Sequence, residues 1–209
     1  MDEITERKWK VLNRDTIKYI AMFTMLLNHI STIFMESGKF VSELFLNAGY
    51  FTAITMCYFL VEGYQYTHSK KKYAFRLIIY ALISEIPYCL AFTKNGVLEF
   101  CGLNMLFTLF ICFCILFVVE RVKNTPLKVV SILILILLSL ASDWPLLAPI
   151  FTLLFIWGKD SKKKLKAAFV ISIIMEAQSP VFPRLKRSRC RSSQEVNDSP
   201  TPFSALNYC

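Results

Sequence analysis

The sequence predicts an all-α fold, a polytopic transmembrane helical bundle of about six to seven spans with a cytoplasmic N-terminus. Three observations carry this. Apolar residues make up 55% of the 209-residue chain against 19% charged. They gather into runs close to the roughly 20 residues that cross a bilayer, a pattern foreign to soluble domains. Lys and Arg crowd into alternate breaks between the runs, as orientation signals do.

The first run, residues 12–33, is LNRDTIKYIAMFTMLLNHISTI. It opens with Arg14, Asp15 and Lys18 and carries Asn28 and His29 deep in its apolar part. At about 1.5 Å per residue, His29 lies roughly 20 Å along the axis from Arg14. An ionisable group at that depth is costly and is therefore a functional candidate.

A polar break at 36–43 precedes the second run, residues 44–66, which contains Glu62 followed by Gly63. The basic loop THSKKKYAFR, residues 67–76, leads into a third run, residues 73–92, with Ser84, Glu85 and Pro87. After the break at 93–100, a fourth run at 102–119 is free of charge and has Asn104 near its start. Pro126, in the basic stretch 120–128, is placed to open the next helix. Residues 129–158 as one helix would measure about 45 Å, too long for a core near 30 Å. Asp143, Pro145 and Pro149 interrupt this segment, so two short helices turning at 142–145 are expected. A basic stretch at 158–166 then leads to a last apolar segment, residues 165–177, which at about 13 residues is short for a span.

Residues 1–177 therefore form one integral membrane domain. The remainder, 178–209, is polar, basic, rich in Pro and Ser, and without apolar period, so a disordered or non-native tail is expected. No cleavable signal peptide is evident in the mixed-charge N-terminal segment. The net charge of +9 follows the topology signals and does not point to nucleic acid. The seven cysteines show no metal spacing. Cys57, Cys89, Cys112 and Cys114 sit in apolar runs as small hydrophobes, and neither metal nor disulfides are expected.

With this topology the polar residues fall into two layers. Arg14, Lys18, Glu62 and Arg76 lie near the cytoplasmic face. Glu85 is near mid-membrane, and His29, Asn104 and Asp143 lie towards the far side. Arg14 and Arg76 also suit a plain role as charges snorkelling to headgroups, and Asp143 suits a turn. Buried carboxylates such as Glu62 and Glu85 need a partner or a proton. A His near a carboxylate can serve as general base towards a hydroxyl or amine, while basic residues can hold the phosphates of a CoA-type donor. A proton-coupled transporter could use the same His and Glu residues, although transporters often show repeated halves and none is visible here.

The stretches LNRDTIKYIAMFTMLLNHIS, GYFTAITMCYFLVEGYQYT, FRLIIYALISEIPYCLAF, LNMLFTL and SDWPLLAPIFTLLF, in this order over about residues 12–157, resemble successive motifs of the TraX family of pilin acetylation and conjugal transfer proteins. More distantly, the chain is similar to the integral-membrane acyltransferases of family three, which O-acetylate surface polysaccharides and carry an Arg and a His on their first helix. The resemblance implies a multi-pass enzyme of the bacterial inner membrane. It would use cytoplasmic acetyl-CoA, with no metal, to acetylate a pilin-like N-terminus or a surface glycan hydroxyl. By that similarity the catalytic residues are His29, Glu85 and Asp143, with His29 as base. Arg14 and Arg76 would contact acetyl-CoA, and Asn28, Glu62 and Asn104 would complete the polar site. Family members continue with further apolar helix where this chain has Gln178 onward, a departure that would suit a truncated or inactive copy. The competing class is a non-catalytic assembly factor or a small transporter.

Overall fold

In lipid a backbone must satisfy its own hydrogen bonds, and apolar runs divided by short polar breaks do so as helices. The computed structural model describes residues 13–35, 39–92 and 102–178. Among these residues there are seven helices: α1 Arg14–Phe34, α2 Phe40–Tyr66, α3 Lys70–Phe92, α4 Met105–Arg121, α5 Thr125–Ser139, α6 Leu147–Gly158 and α7 Lys162–Gln178. Helices α1, α2 and α3 are long and apolar enough to cross a membrane, while α5 and α6 are shorter apolar helices. Expectations for residues 1–12 and for the tail beyond Gln178 fall outside the described residues.

Several boundaries differ from the sequence reading. Helix α2 begins at Phe40, inside the expected polar break, because Ser42 is buried against α1 and Phe40 and Val41 extend the apolar face. Helix α3 begins at Lys70, so the lysines of the basic loop form its first turn. Pro87 lies within α3 without ending it, as membrane helices tolerate. The segment 129–158 divides as expected. Pro126 sits in the first turn of α5, and the chain turns at residues 140–146.

Helix α2 runs through the centre and packs on α1, α4, α6 and α7. Its seam with α1 is polar and close. The Thr24 and Thr52 hydroxyls are 2.6 Å apart, Thr52 Oγ1 donates to the Ala21 carbonyl at 3.0 Å, and the Ser31 and Ser42 hydroxyls are 2.8 Å apart. Small residues and short polar bonds of this kind hold helices together where lipid offers no hydrophobic drive, each at about 0.6 kcal/mol. The core beyond is apolar, with Cys57, Cys112, Phe151 and Phe155 almost fully buried. Apolar side chains such as Phe23, Ile83, Leu133 and Leu137 point outward, which suits a lipid-facing surface.

Candidate functional site

The predicted polar residues separate to the two ends of the bundle. At one end α1 and α3 finish and α4 and α6 begin. A small cleft there is lined by Asn28 and His29 of α1, Gly49 and Thr52 of α2, Met105 of α4, and Asp143 and Trp144 of the α5–α6 turn. Asn28 Nδ2 donates to the Leu46 carbonyl at 3.3 Å. It lies so close to α2 that a Cβ on Gly49 would stand 2.2 Å from it. Glycine at 49 therefore sets how near α1 can bring His29.

The imidazole of His29 meets Tyr88 edge to face, with ring centroids 6.1 Å apart and planes at 75°. The Tyr88 hydroxyl donates to Asp143 Oδ1 at 3.2 Å. Histidine, phenol and carboxylate thus come from three separate elements and meet in one place.

Asp143 owes its position to backbone contacts. Leu103 N–H, just before α4, donates to the Ala141 carbonyl at 3.0 Å. Ser142 Oγ donates to the Ser139 carbonyl at 2.7 Å, and Leu146 N–H donates to Ser139 Oγ at 3.3 Å. The turn closes through Leu147 N–H donating to the Pro145 carbonyl at 2.7 Å, across Leu146 at φ 64°, ψ −49°. This is the rare, strained form of γ-turn. Leu146 is the positive-φ non-glycine among the described residues, and such strain, worth about 1–3 kcal/mol, persists where surrounding contacts over-determine it. Helix α5, at 15 residues, is about 22 Å long and short of a core near 30 Å. Irregular backbone inside a bilayer must be buried in protein or line a cavity, and Ser142 in this turn is buried.

Glu85 and Asn104 make the joint beside this cleft. Asn104 caps α4 through Oδ1, which accepts from Leu106 N–H at 2.9 Å and Phe107 N–H at 3.2 Å. Its Nδ2 donates to the Ala81 carbonyl at 2.9 Å and to Ser84 Oγ at 2.8 Å. Glu85 Oε2 accepts the Asn104 backbone N–H at 3.1 Å, and the Cys89 thiol lies 3.7 Å from Oε1. Glu85 is one helical turn from Tyr88 and is engaged with α4, outside the cleft lining.

The opposite end is charged and more open. Arg14 Nη2 pairs with Glu62 Oε1 at 3.2 Å, with the arginine side chain 65% exposed and the carboxylate 16%. The Tyr58 hydroxyl donates to the same oxygen at 3.4 Å, and the guanidinium lies 5.8 Å from the Tyr66 ring centroid. Arg76 is exposed on α3 and is not joined to Arg14 by any contact among the described residues. A second cluster joins Lys70 and the Tyr64 hydroxyl to Glu120 at the end of α4. The Lys70 ammonium, and then the Tyr64 hydroxyl, hold the Glu120 carboxyl below the usual carboxylate range.

Sequence reasoning missed Tyr88, Trp144 and Glu176. Tyr88 carried a signal in its i+3 spacing from Glu85, which puts both on one helix face. Glu176 is an acid in the last apolar segment and met the same rule that singled out Glu62 and Glu85. It is buried on α7. Tyr50 of α2 packs edge to face on Trp144 of the cleft lining, with ring centroids 5.9 Å apart.

The sequence pattern of the family described as TraX protein matches residues 13–189 of the chain. The chain is also similar to the probable fimbrial assembly protein FimC, serogroup H1, of Dichelobacter nodosus. The two are 30% identical over 176 residues, which cover 79% of this chain and 72% of that protein. No solved structure matches the chain.

Proposed function

The chain belongs to the TraX protein family, and from that premise we propose that it is a membrane-embedded acetyltransferase. It moves an acetyl group from cytoplasmic acetyl-CoA to an extracytoplasmic acceptor, either a pilin-type N-terminal amine or a surface glycan hydroxyl. In this reading the basic end of the bundle, with the N-terminus, faces the cytoplasm of a bacterial cell and the chain crosses the inner membrane several times.

The observation that carries the reading is the meeting of His29 and Asp143 at one cleft, with Tyr88 touching both. An acceptor amine or hydroxyl reaching the mouth of this narrow cleft, whose free volume is about 10 Å³, gives its proton to the His29 imidazole while its nitrogen or oxygen attacks the thioester carbonyl. The new amide or ester bond forms, the C–S bond breaks, and the imidazolium returns the proton to the departing thiolate. Asp143, acting through Tyr88, orients the ring and steadies the imidazolium as it forms. Glu85 and Asn104 hold α3 and α4 so that Tyr88 stays in place. At the other end Arg14 and Arg76 take the donor's phosphates, with Glu62 keeping Arg14 in position. The two ends are roughly 20 Å apart along α1, a separation that the extended arm of CoA is suited to bridge.

The printed name of the Dichelobacter relative, a probable fimbrial assembly protein, favours a pilin-type acceptor. It also supports a second reading, a membrane assembly factor without catalysis. Purified protein given labelled acetyl-CoA and either a pilin-derived peptide or a glycan separates the two. The enzyme labels one acceptor in a time-dependent manner, and an assembly factor labels neither.

A further inference from the structure

Helix α4 packs on both α3 and α5, whereas α3 and α5 scarcely touch each other. The gap between them is a lateral groove of about 500 Å³, within the 300–1,000 Å³ range of small-molecule sites. Its floor is Phe110, Cys114 and Phe117 of α4, and its walls include Ala74 of α3 with Ile134 and Leu135 of α5. The surrounding faces expose Phe75, Leu133 and Leu137, so the groove opens among side chains that suit hydrocarbon. Left empty, such a groove loses the dispersion contacts of its lining, and its apolar walls give water few partners.

One end of the groove is different. Lys70 and Lys71, in the first turn of α3, stand at its rim. Lys70 is engaged by Glu120 and lies over the Tyr64 ring. Lys71 is exposed and makes no ion pair with any described residue. A long apolar trough with an exposed ammonium at one end matches an acyl chain that ends in a phosphate.

We propose that this groove binds one anionic phospholipid, its acyl chain along Phe110, Cys114 and Phe117 and its headgroup phosphate on Lys71. A zwitterionic lipid carries its own cation beside the phosphate and gains less from Lys71, so the site selects for net negative charge. The inference is independent of acetyl transfer and concerns a face of the bundle away from His29.

The test is native mass spectrometry of the purified, delipidated full chain titrated with phosphatidylglycerol and, separately, phosphatidylcholine. The wild type is expected to retain one phosphatidylglycerol with about five-fold preference over phosphatidylcholine, the order expected for one lysine beside an anionic headgroup. Lys71→Ala brings the preference close to parity, while Lys164→Ala, at a lysine elsewhere on the basic end, leaves it unchanged. Cys114→Phe fills the floor and weakens retention of both lipids. If that variant does not fold, Lys71→Ala decides alone. Excess inorganic phosphate leaves phosphatidylglycerol bound, because the chain supplies much of the contact. Equal retention of the two lipids by the wild type, an undiminished preference in Lys71→Ala, or displacement by inorganic phosphate would each overturn the proposal.

Discussion

At the His29 end of the bundle, side chains from α1, α3 and the α5–α6 turn meet half-buried in a cleft and are held by ring contacts, backbone bridges and buried hydrogen bonds. At the Arg14 end, charged groups pair near the surface, with Arg14 65% exposed and Glu120 46%. The same two kinds of residue, acids and bases, are thus built in with different constraints. At the first end Asn104 and the 139–146 turn are each fixed by several hydrogen bonds, because leaving a buried polar group unsatisfied is costly. Where water reaches, a pair contributes about 0–1 kcal/mol and can exchange partners. The first arrangement suits chemistry that needs fixed geometry, and the second suits reversible holding of an anionic donor.

Substitutions at the two ends therefore differ in size and kind. The largest loss of stability is expected for Asn104→Ala, which removes the α4 cap, worth about 1 kcal/mol, and two donations to α3, each worth about 1 kcal/mol. Unfolding in detergent followed by circular dichroism is expected to show about 2–3 kcal/mol. A loss below about 0.5 kcal/mol would mean that the α3–α4 joint is not rigid. Tyr88→Phe keeps the ring against His29 but removes the bond to Asp143. It is expected to lower stability by about 1 kcal/mol and kcat at least ten-fold, with KM for acetyl-CoA unchanged. Equal kcat in the variant would remove the link between Asp143 and His29.

Arg14→Ala reverses that pattern. Stability falls by less than about 1 kcal/mol, while KM for acetyl-CoA rises several-fold and kcat holds. A change in kcat alone would contradict the division between the ends. The smallest effect belongs to Glu120. Its carboxyl is held below the usual range, chiefly by Lys70, so its contribution is complete above the unfolded carboxylate value of about 4.3 and fades as pH falls through the lower folded value. Comparing wild type with Glu120→Gln in acid unfolding, the difference in stability is expected to narrow below about pH 4.3. A difference that stays constant to pH 2 would show the cluster to be inert.

How much of this was readable in advance depended on whether a residue's role is local. The α5–α6 turn was legible because Pro145 disrupts a continuous helix, Pro149 suits the first turn of a new one, and a single helix of that length exceeds a core near 30 Å. That Arg14 lies with Glu62, and His29 with Asp143, at opposite ends of the bundle follows from counting residues along each helix axis. Rotation about that axis was not legible. Helix α4 has apolar residues on every side, so no stripe marks the face that meets α2. For the same reason the i+3 spacing put Tyr88 and Glu85 on one face of α3 without showing that this face meets α1 and α4. The start of α2 was misjudged because Ser42 and Glu43 look like a break until Ser42 is seen bonded to Ser31 across the seam.

The most direct test of the central claim is the rate of acetyl transfer from labelled acetyl-CoA to a pilin-type peptide amine or a glycan hydroxyl, with wild type and His29→Ala measured side by side at matched melting temperature. The account predicts transfer by the wild type and a loss of about 10²–10⁴-fold in the variant, the contribution typical of a general base. Transfer at the wild-type rate by His29→Ala, or no transfer to either acceptor by folded wild type, would contradict it.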